Sequence, residues 1–345
     1  MFLRLLFFML FVSVFTKNVA QNSVISGYVS DIRNGEKIIG VNIYIPALDI
    51  GTVTNNFGFY SLTVPSAENV EISFSYIGYK TVTKILNLIQ DVKLNIDIDP
   101  AIELEVIEIT AEKSKKIERE TQMSVAEIPI QQIKKVPALL GEVDILRVLQ
   151  LLPGVQSGGE GQSGFYVRGG SPDQNLILLD GVPVYNASHL FGFFSVFNSD
   201  AIKDVKLIKG GFPARYGGRL SSVLEINMKE GNNNEFHGNV GVGLIASKFT
   251  LEGPISKGKT SFLLSGRRTY VDVLARPFIK SEFKDSGTDG STGYYFYDLN
   301  AKINHKFSDK DKLYLSVYTG QDKFYYDEKD LEGSIRDFTD TGLGW

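Results

Sequence analysis

The sequence predicts a mainly β protein in three parts: a small β-sandwich, a mixed α+β domain, and a run of long antiparallel hairpins of the kind that builds a transmembrane barrel. Three observations carry this. Short β-branched and aromatic segments, separated by turn residues, fill residues 22 to 98. Two apolar runs between 165 and 186 are each stopped at once by a polar–glycine pair. Beyond residue 236 apolar residues recur at period two over lengths that suit a membrane strand.

Composition narrows the class. The 345 residues leave room for two or three domains. Cysteine is absent, which excludes disulfides and thiolate metal sites but does not set the compartment. Net charge is −4 with both signs interspersed, and the chain has no block of five basic residues, so it lacks a nucleic-acid footprint. Glycine (34), phenylalanine (23) and tyrosine (16) are abundant, while mean hydropathy is −0.03. A helical membrane protein would be far more apolar. A barrel shows only one face of each strand to lipid and fits these values.

Residues 1–20 read as a signal peptide. Arg4 supplies the charge, Leu5 to Phe15 the apolar core, and Asn18-Val-Ala20 the cleavage site, with Gln21 as the new N-terminus. An N-terminal anchor helix is the alternative, but the run is short for a hydrocarbon core of about 30 Å.

Residues 21–98 carry about seven short strands, among them 24–29, 40–45, 58–64, 70–76 and 92–98, punctuated by Asn34-Gly35, Asn55-Asn56 and Ile77-Gly78. The wording GTVTNNFGFYSLTVP (51–65) and FSYIGYK (74–80) resembles the carboxypeptidase regulatory-like domain, a transthyretin-type sandwich. That module is an accessory, not a peptidase. His189, His237 and His305 all lie outside it and form no HExxH pair, so neither a zinc site nor a catalytic residue is assigned.

Residues 99–124 read as a linker. Glu103 to Ala111 alternates and is β-branched, whereas Glu112 to Glu120 is charge-dense and poor in core residues. From 125 to 232 the pattern is mixed. Leu139, Val143, Leu146 and Leu149 have helical spacing over 139–152, stopped by Pro153-Gly154. Gly159-Glu-Gly-Gln-Ser-Gly164 satisfies GxGxxG, but it follows a helix and precedes a strand, the wrong order for a dinucleotide site, and reads as a loop. Asn198 to Ile202 offers an N-cap and a short helix before a strand at 205–208.

The phrases FYVRGGSPDQNLILLDGVPVYN (165–186) and GGFPARYGG (210–218), within a match from Leu139 to Glu230, resemble the plug domain of TonB-dependent outer-membrane receptors. The resemblance implies a plug motif of Arg168, Gly169, Asp180, Gly181, Arg215, Gly217 and Arg219. It also implies that the arginines pair with barrel carboxylates; ion pairs within the plug are the alternative. Glu105, Val106, Ile107, Glu108, Ile109, Thr110 and Ala111 then stand where the TonB box belongs. An extended segment there can add to the sheet edge of a TonB-type periplasmic energy-transducing protein. The other reading of this segment is the first plug strand. Gln162, Tyr185, Asn186, His189 and Phe191 are candidates to face a small nutrient ligand, against the alternative that they are plug core. No cofactor is implied.

Residues 233–345 read as barrel hairpins. Val240, Val242 and Leu244 share one parity and Phe249 and Leu251 the other, which places a turn near 245–247. Strands follow at 261–270, 295–307 and 313 to about 325. Tyr297, Leu299, Ala301 and Ile303 are expected to face lipid, and Asp298, Asn300, Lys302 and Asn304 the lumen. Connections at 256–259 and 308–311 are short and read as periplasmic; those at 277–293 and 327–341 are long and read as extracellular. Asp285 to Gly290 fails as a calcium loop, with Gly287 at the third position and Phe296 in place of the bidentate acid. Receptors of this type close with about 22 strands, so the chain is expected to be the N-terminal part of a longer protein. The function expected is energy-coupled uptake of an iron chelate, cobalamin or oligosaccharide across the outer membrane, with the N-terminal domain in the periplasm. A non-transporting surface protein anchored by its barrel is the competing class.

Overall fold

The structure is a computed structural model that describes residues 22–101, 124–137, 141–159, 163–308, 311–329 and 335–341; of 191, 329 and 335–341 only the backbone is described. Two compact units result, one within 1–32 and 37–103 and one comprising 33–36 and 104–345.

The first unit is a two-sheet sandwich. One sheet holds β1 (Asn22–Asp31) between β4 (Phe59–Pro65) and the short parallel strands β7 (Val92–Lys93) and β8 (Ile96–Ile98); the other runs β3 (Ile50–Val53), β2 (Asn42–Ile45), β5 (Ala67–Ser75), β6 (Val82–Leu88). Alternate residues of β1, β2, β4 and β5 turn inward, so Ile25, Ile43, Ile45, Ile72 and Phe74 are fully buried. β3 and β6 are additions to the strands expected from sequence; their half-exposed patterns weaken the alternation signal.

The second unit begins with a five-stranded sheet in the order β13 (Val182–Pro183), β12 (Asn175–Leu179), β17 (Ser222–Met228), β16 (Ile202–Ile208), β9 (Val125–Pro129). Two single-turn helices, α1 (Ile130–Ile133) and α2 (Ile145–Leu149), pack on it, and the small pairs β10 (Val155–Ser157) with β11 (Phe165–Val167) and β14 (Ser188–His189) with β15 (Phe194–Ser195) complete this domain. Its core joins Ile133, Leu149, Phe197, Leu207 and Leu224. Among the described residues, the helix expected over 139–152 covers 145–149. Gly141 at φ 88° and the extended Asp144 hold the chain out of the helix until the Asp144 carboxylate caps it, and Gly154 at φ 79° turns the chain beyond it. The helix expected at 198–202 is a turn instead. Asn198 accepts from Ala201 through its carbonyl and from Asp200 through its side chain, and Ile202 already pairs with Met228 in the sheet.

Six antiparallel strands follow in sequence order: β18 (His237–Val242), β19 (Ala246–Ser256), β20 (Thr260–Thr269), β21 (Asp289–Lys306), β22 (Lys312–Lys329) and β23 (Ile335–Thr341). They are the start of a barrel wall. The parity flip falls at Gly243 to Ile245, where the Gly243 N–H meets the Ala246 carbonyl. In β21, Asp298, Asn300, Lys302 and Asn304 are buried against the central domain, while Leu299 and Ile303 lie open on the other face. The stretch 277–293, expected as a loop, begins inside a helix, α3 (Val271–Asp285), and ends in β21. Ala275, Arg276, Lys280, Glu282 and Lys284 are good helix formers, and Pro277 does not interrupt the helix.

Candidate functional site

The two polar–glycine pairs of the 165–186 phrase fold for the same local reason. Asp180-Gly181 joins β12 to β13 with Leu179 opposite Val182, and both turn residues have positive φ, 48° and 83°. Arg168-Gly169 repeats this at 49° and 86°, with Val167 opposite Gly170. Two positive φ values in a two-residue connection are the signature of a type I′ turn, whose twist matches the flanking strands. Gly217 has no positive φ; in the 210–218 phrase Gly210, Gly211 and Gly218 do. That phrase folds Tyr216 onto the sheet, where its hydroxyl donates to Glu225 at 2.6 Å and receives Arg215 at 2.6 Å; burial and Glu225 push the phenol up to about 12.

None of the three motif arginines meets a carboxylate among the described residues. Arg168 donates to Ser124 Oγ, Arg215 to Tyr216 Oη, and Arg219 to the Gly218 carbonyl beside the Tyr185 ring. Other charges join the central domain to the barrel wall, and among the described residues they include three clasps.

The first clasp is at His189. Its Nε2 lies 2.7 Å from Asp298 Oδ1 on β21, its Nδ1 2.8 Å from Asp322 Oδ1 on β22, and its ring stacks on Phe296 at 4.2 Å. Arg267 on β20 donates to Asp298 through Nε and Nη2 and to the Ser195 carbonyl at 2.7 Å. Tyr318 donates to Asp298 and Tyr294 to Asp322. Asp144, which caps α2 with one oxygen, accepts the Ser195 N–H with the other at 2.6 Å. Burial alone would lower the His189 pKa, but the hydrogen bonds and charges of Asp298 and Asp322 outweigh it and hold the imidazole above its usual value.

In the second clasp Lys302 donates to Asp180 and to the Met228 carbonyl, both at 3.0 Å, while Ser316 donates to the other Asp180 oxygen. In the third, Asp200 lies between Lys134, beyond α1, and Lys248 on β19, at 2.5 and 2.9 Å.

The ligand-facing candidates separate. Tyr185 and Asn186 are exposed; His189 is buried against the wall and does not face outward, because both ring nitrogens are engaged there. The Phe191 side chain, Gln162 and the whole of Glu105 to Ala111 lie outside the described residues. Sequence reasoning missed Arg267 and Asp322. The signal was available: each is a charged residue of inward parity on a strand otherwise fit for lipid.

Comparison with known proteins agrees with this layout. The CarboxypepD_reg-like domain family matches residues 25–109 and the TonB-dependent Receptor Plug Domain family residues 117–222. The Vitamin B12 transporter BtuB of Vibrio vulnificus is 27% identical over 211 residues, 59% of this chain and 33% of that protein. The TonB-dependent receptor SusC of Bacteroides thetaiotaomicron is 26% identical over 289 residues, 78% of this chain and 27% of that protein. The siderophore receptor PirA from Pseudomonas aeruginosa superposes with a TM-score of 0.42 at 19% identity, over 61% of this chain and 38% of that one. The chain spans about a third or less of the length of these curated relatives. The chain thus joins a CarboxypepD_reg-like domain to a TonB-dependent Receptor Plug Domain, followed by antiparallel strands, and in this order it is similar to TonB-dependent receptors.

Proposed function

We propose that the whole protein is an outer-membrane receptor that takes up a scarce small nutrient with energy delivered from the periplasmic side. The observation that carries this reading is how the plug is held. Its three clasps, at His189, Lys302 and Asp200, are ion pairs and hydrogen bonds, which break and re-form without exposing a large apolar face. A domain meant only to seal a barrel would gain more from a dry interface.

In this reading the ligand is an iron chelate, cobalamin or an oligosaccharide, held outside between barrel loops and the exposed Tyr185–Asn186 stretch. The N-terminal sandwich lies in the periplasm, and Glu105 to Ala111 adds as a strand to the TonB-type partner. Two measurements test it. Accumulation of each ligand class is followed in cells with and without the energy-transducing complex; binding without complex-dependent accumulation overturns uptake. Ile107→Pro, which removes a backbone donor, is expected to abolish accumulation and spare binding, whereas Ile107→Ala is milder. Unchanged uptake in the proline variant moves the partner contact elsewhere.

A further inference from the structure

We propose that His189 is a proton-dependent latch: a positioning residue whose charged imidazole fixes plug residues 188–195 to the barrel wall, and whose deprotonation frees that loop while the Lys302–Asp180 clasp keeps the plug sheet seated. The inference rests on the reading that the plug moves during uptake.

The geometry requires the charge. Both ring nitrogens face carboxylate oxygens, at 2.7 and 2.8 Å. A neutral imidazole carries one N–H, so on deprotonation one carboxylate would face a lone pair. His189 is 4% exposed and its ring is stacked on Phe296, so it finds no other partner while the loop is seated. The surroundings sharpen the effect. Asp298 and Asp322 face it directly, Glu142 lies 3.7 Å from Arg267, and Asp144 binds the loop at Ser195; against these stand Arg267 and Arg147, the latter donating to the Phe193 carbonyl. Loss of the imidazolium leaves four carboxylates against two guanidinium groups.

The loop itself is poised to move. Leu190 has φ 49° and Gly192 φ 100°. A left-handed leucine persists only where its surroundings impose it, and here the Leu190 N–H is tied to the Tyr294 hydroxyl, itself bonded to Asp322. One carboxylate thus serves both the latch and the strained turn. The second clasp contains an amine and a carboxylate and no imidazole. Because the folded-state pKa of His189 is raised, attachment of the loop is complete below the ordinary imidazole value of about 6.5 and is lost as pH rises through the raised value.

The test uses the full-length protein in outer-membrane vesicles, with Ser195→Cys and Ser222→Cys as separate reporters. Both serines are fully buried, the first in the latch loop and the second in the plug sheet. Labelling by a water-soluble maleimide is normalised at each pH to the unfolded protein, which removes thiol ionisation. From about pH 6 to about pH 9 the labelling rate of the Ser195→Cys reporter is expected to rise about tenfold or more, while the Ser222→Cys reporter stays protected. His189→Gln is expected to abolish the pH dependence at position 195. Asp322→Asn, which leaves one carboxylate on the ring, is expected to shift the rise to lower pH, and it serves if the glutamine variant does not assemble. A flat profile at position 195, an unchanged profile in both variants, or parallel exposure of position 222 overturns the latch. Labelling needs neither ligand nor energy, so failure of uptake in the parent protein leaves this result standing and indicts the transport reading alone.

Discussion

Lys302, on the lumen face of the barrel, lies 3.0 and 2.9 Å from the Oδ1 and Oδ2 atoms of Asp180, the first residue of the plug's Asp-Gly turn. One side chain therefore sets a turn, binds the end of the neighbouring strand and anchors the domain. Asp180 sits at φ 48°, its Oδ1 accepts the Met228 N–H at 2.9 Å, and the same carboxylate takes Lys302 and Ser316.

Lys302→Met is expected to weaken plug attachment strongly, because it leaves the Asp180 charge buried without its ammonium; breaking such a pair costs about 3–5 kcal/mol. Asp180→Asn alone strands the lysine in the same way, but asparagine tolerates the left-handed backbone and keeps an acceptor for Met228. The double variant is therefore expected to recover part of the loss. Protease access to the plug in the full-length protein, followed against urea, reads all three. Equal midpoints for Lys302→Met and the parent would show that the pair contributes nothing.

The glycines of the motifs divide by backbone, not by crowding. Nothing lies within 4 Å of a Cβ built at Gly169, Gly181 or Gly217, so only conformation decides. Gly169 and Gly181 sit at φ 86° and 83°; Gly217 has no such requirement. Alanine at 169 or 181 is expected to cost about 1–2 kcal/mol and at 217 close to nothing. Urea midpoints of the three variants check this; equal loss at 217 would mean that the 210–218 loop is constrained by something other than its turn.

What was legible from sequence was local. Asp180-Gly181 between apolar runs announces a hairpin because turn chemistry acts over two residues. The face of β21 is legible because a period of two admits one assignment and its inverse, and Lys302 settles which. α3 was hidden because turn residues after 285 masked the helix formers before them. The latch was illegible in principle: His189 and Asp322 are 133 residues apart, and their meeting depends on the register of β21 on β22 and on where the plug sits. The same limit explains the arginines. Their wording is local, but whichever partners they take are fixed by tertiary structure.

The alternation in β21 makes a membrane prediction. Spin labels at Leu299→Cys and Ile303→Cys, whose native side chains are 39% and 43% exposed, should relax with dissolved oxygen, as lipid-facing sites do. Labels at Asn300→Cys and Asn304→Cys, buried under the plug, should be shielded from both oxygen and a water-soluble relaxant. Ile303→Lys should impair assembly, since a lysine on the lipid face costs about 2–4 kcal/mol at mid-membrane. Oxygen access at 300 and 304 instead would invert the wall.

Asp200 supplies the opposite pH signature to His189. Burial would raise its pKa, but hydrogen bonds and charges from Lys134 and Lys248 outweigh burial and hold it below the usual carboxylate value. A lowered folded-state pKa means that this clasp is fully formed above the ordinary aspartate value of about 3.9 and is lost as pH falls through the lowered one. The loss should not free the latch loop, whose imidazole stays charged in acid. It should loosen the link between α1 and β19; Asn198, two residues before Asp200, donates to Ser265 of β20 at 2.8 Å. Ile133→Cys, fully buried in α1, is the reporter. In the full-length protein its normalised labelling is expected to rise on brief acid exposure near pH 3 and to return at neutrality, while the Ser195→Cys reporter stays closed over the same range. Asp200→Asn should show the exposed rate at neutral pH and no further response to acid, because two lysines then face an amide that cannot neutralise them. A variant that still opens only in acid would place the acid response on another carboxylate and reduce Asp200 to a packing residue.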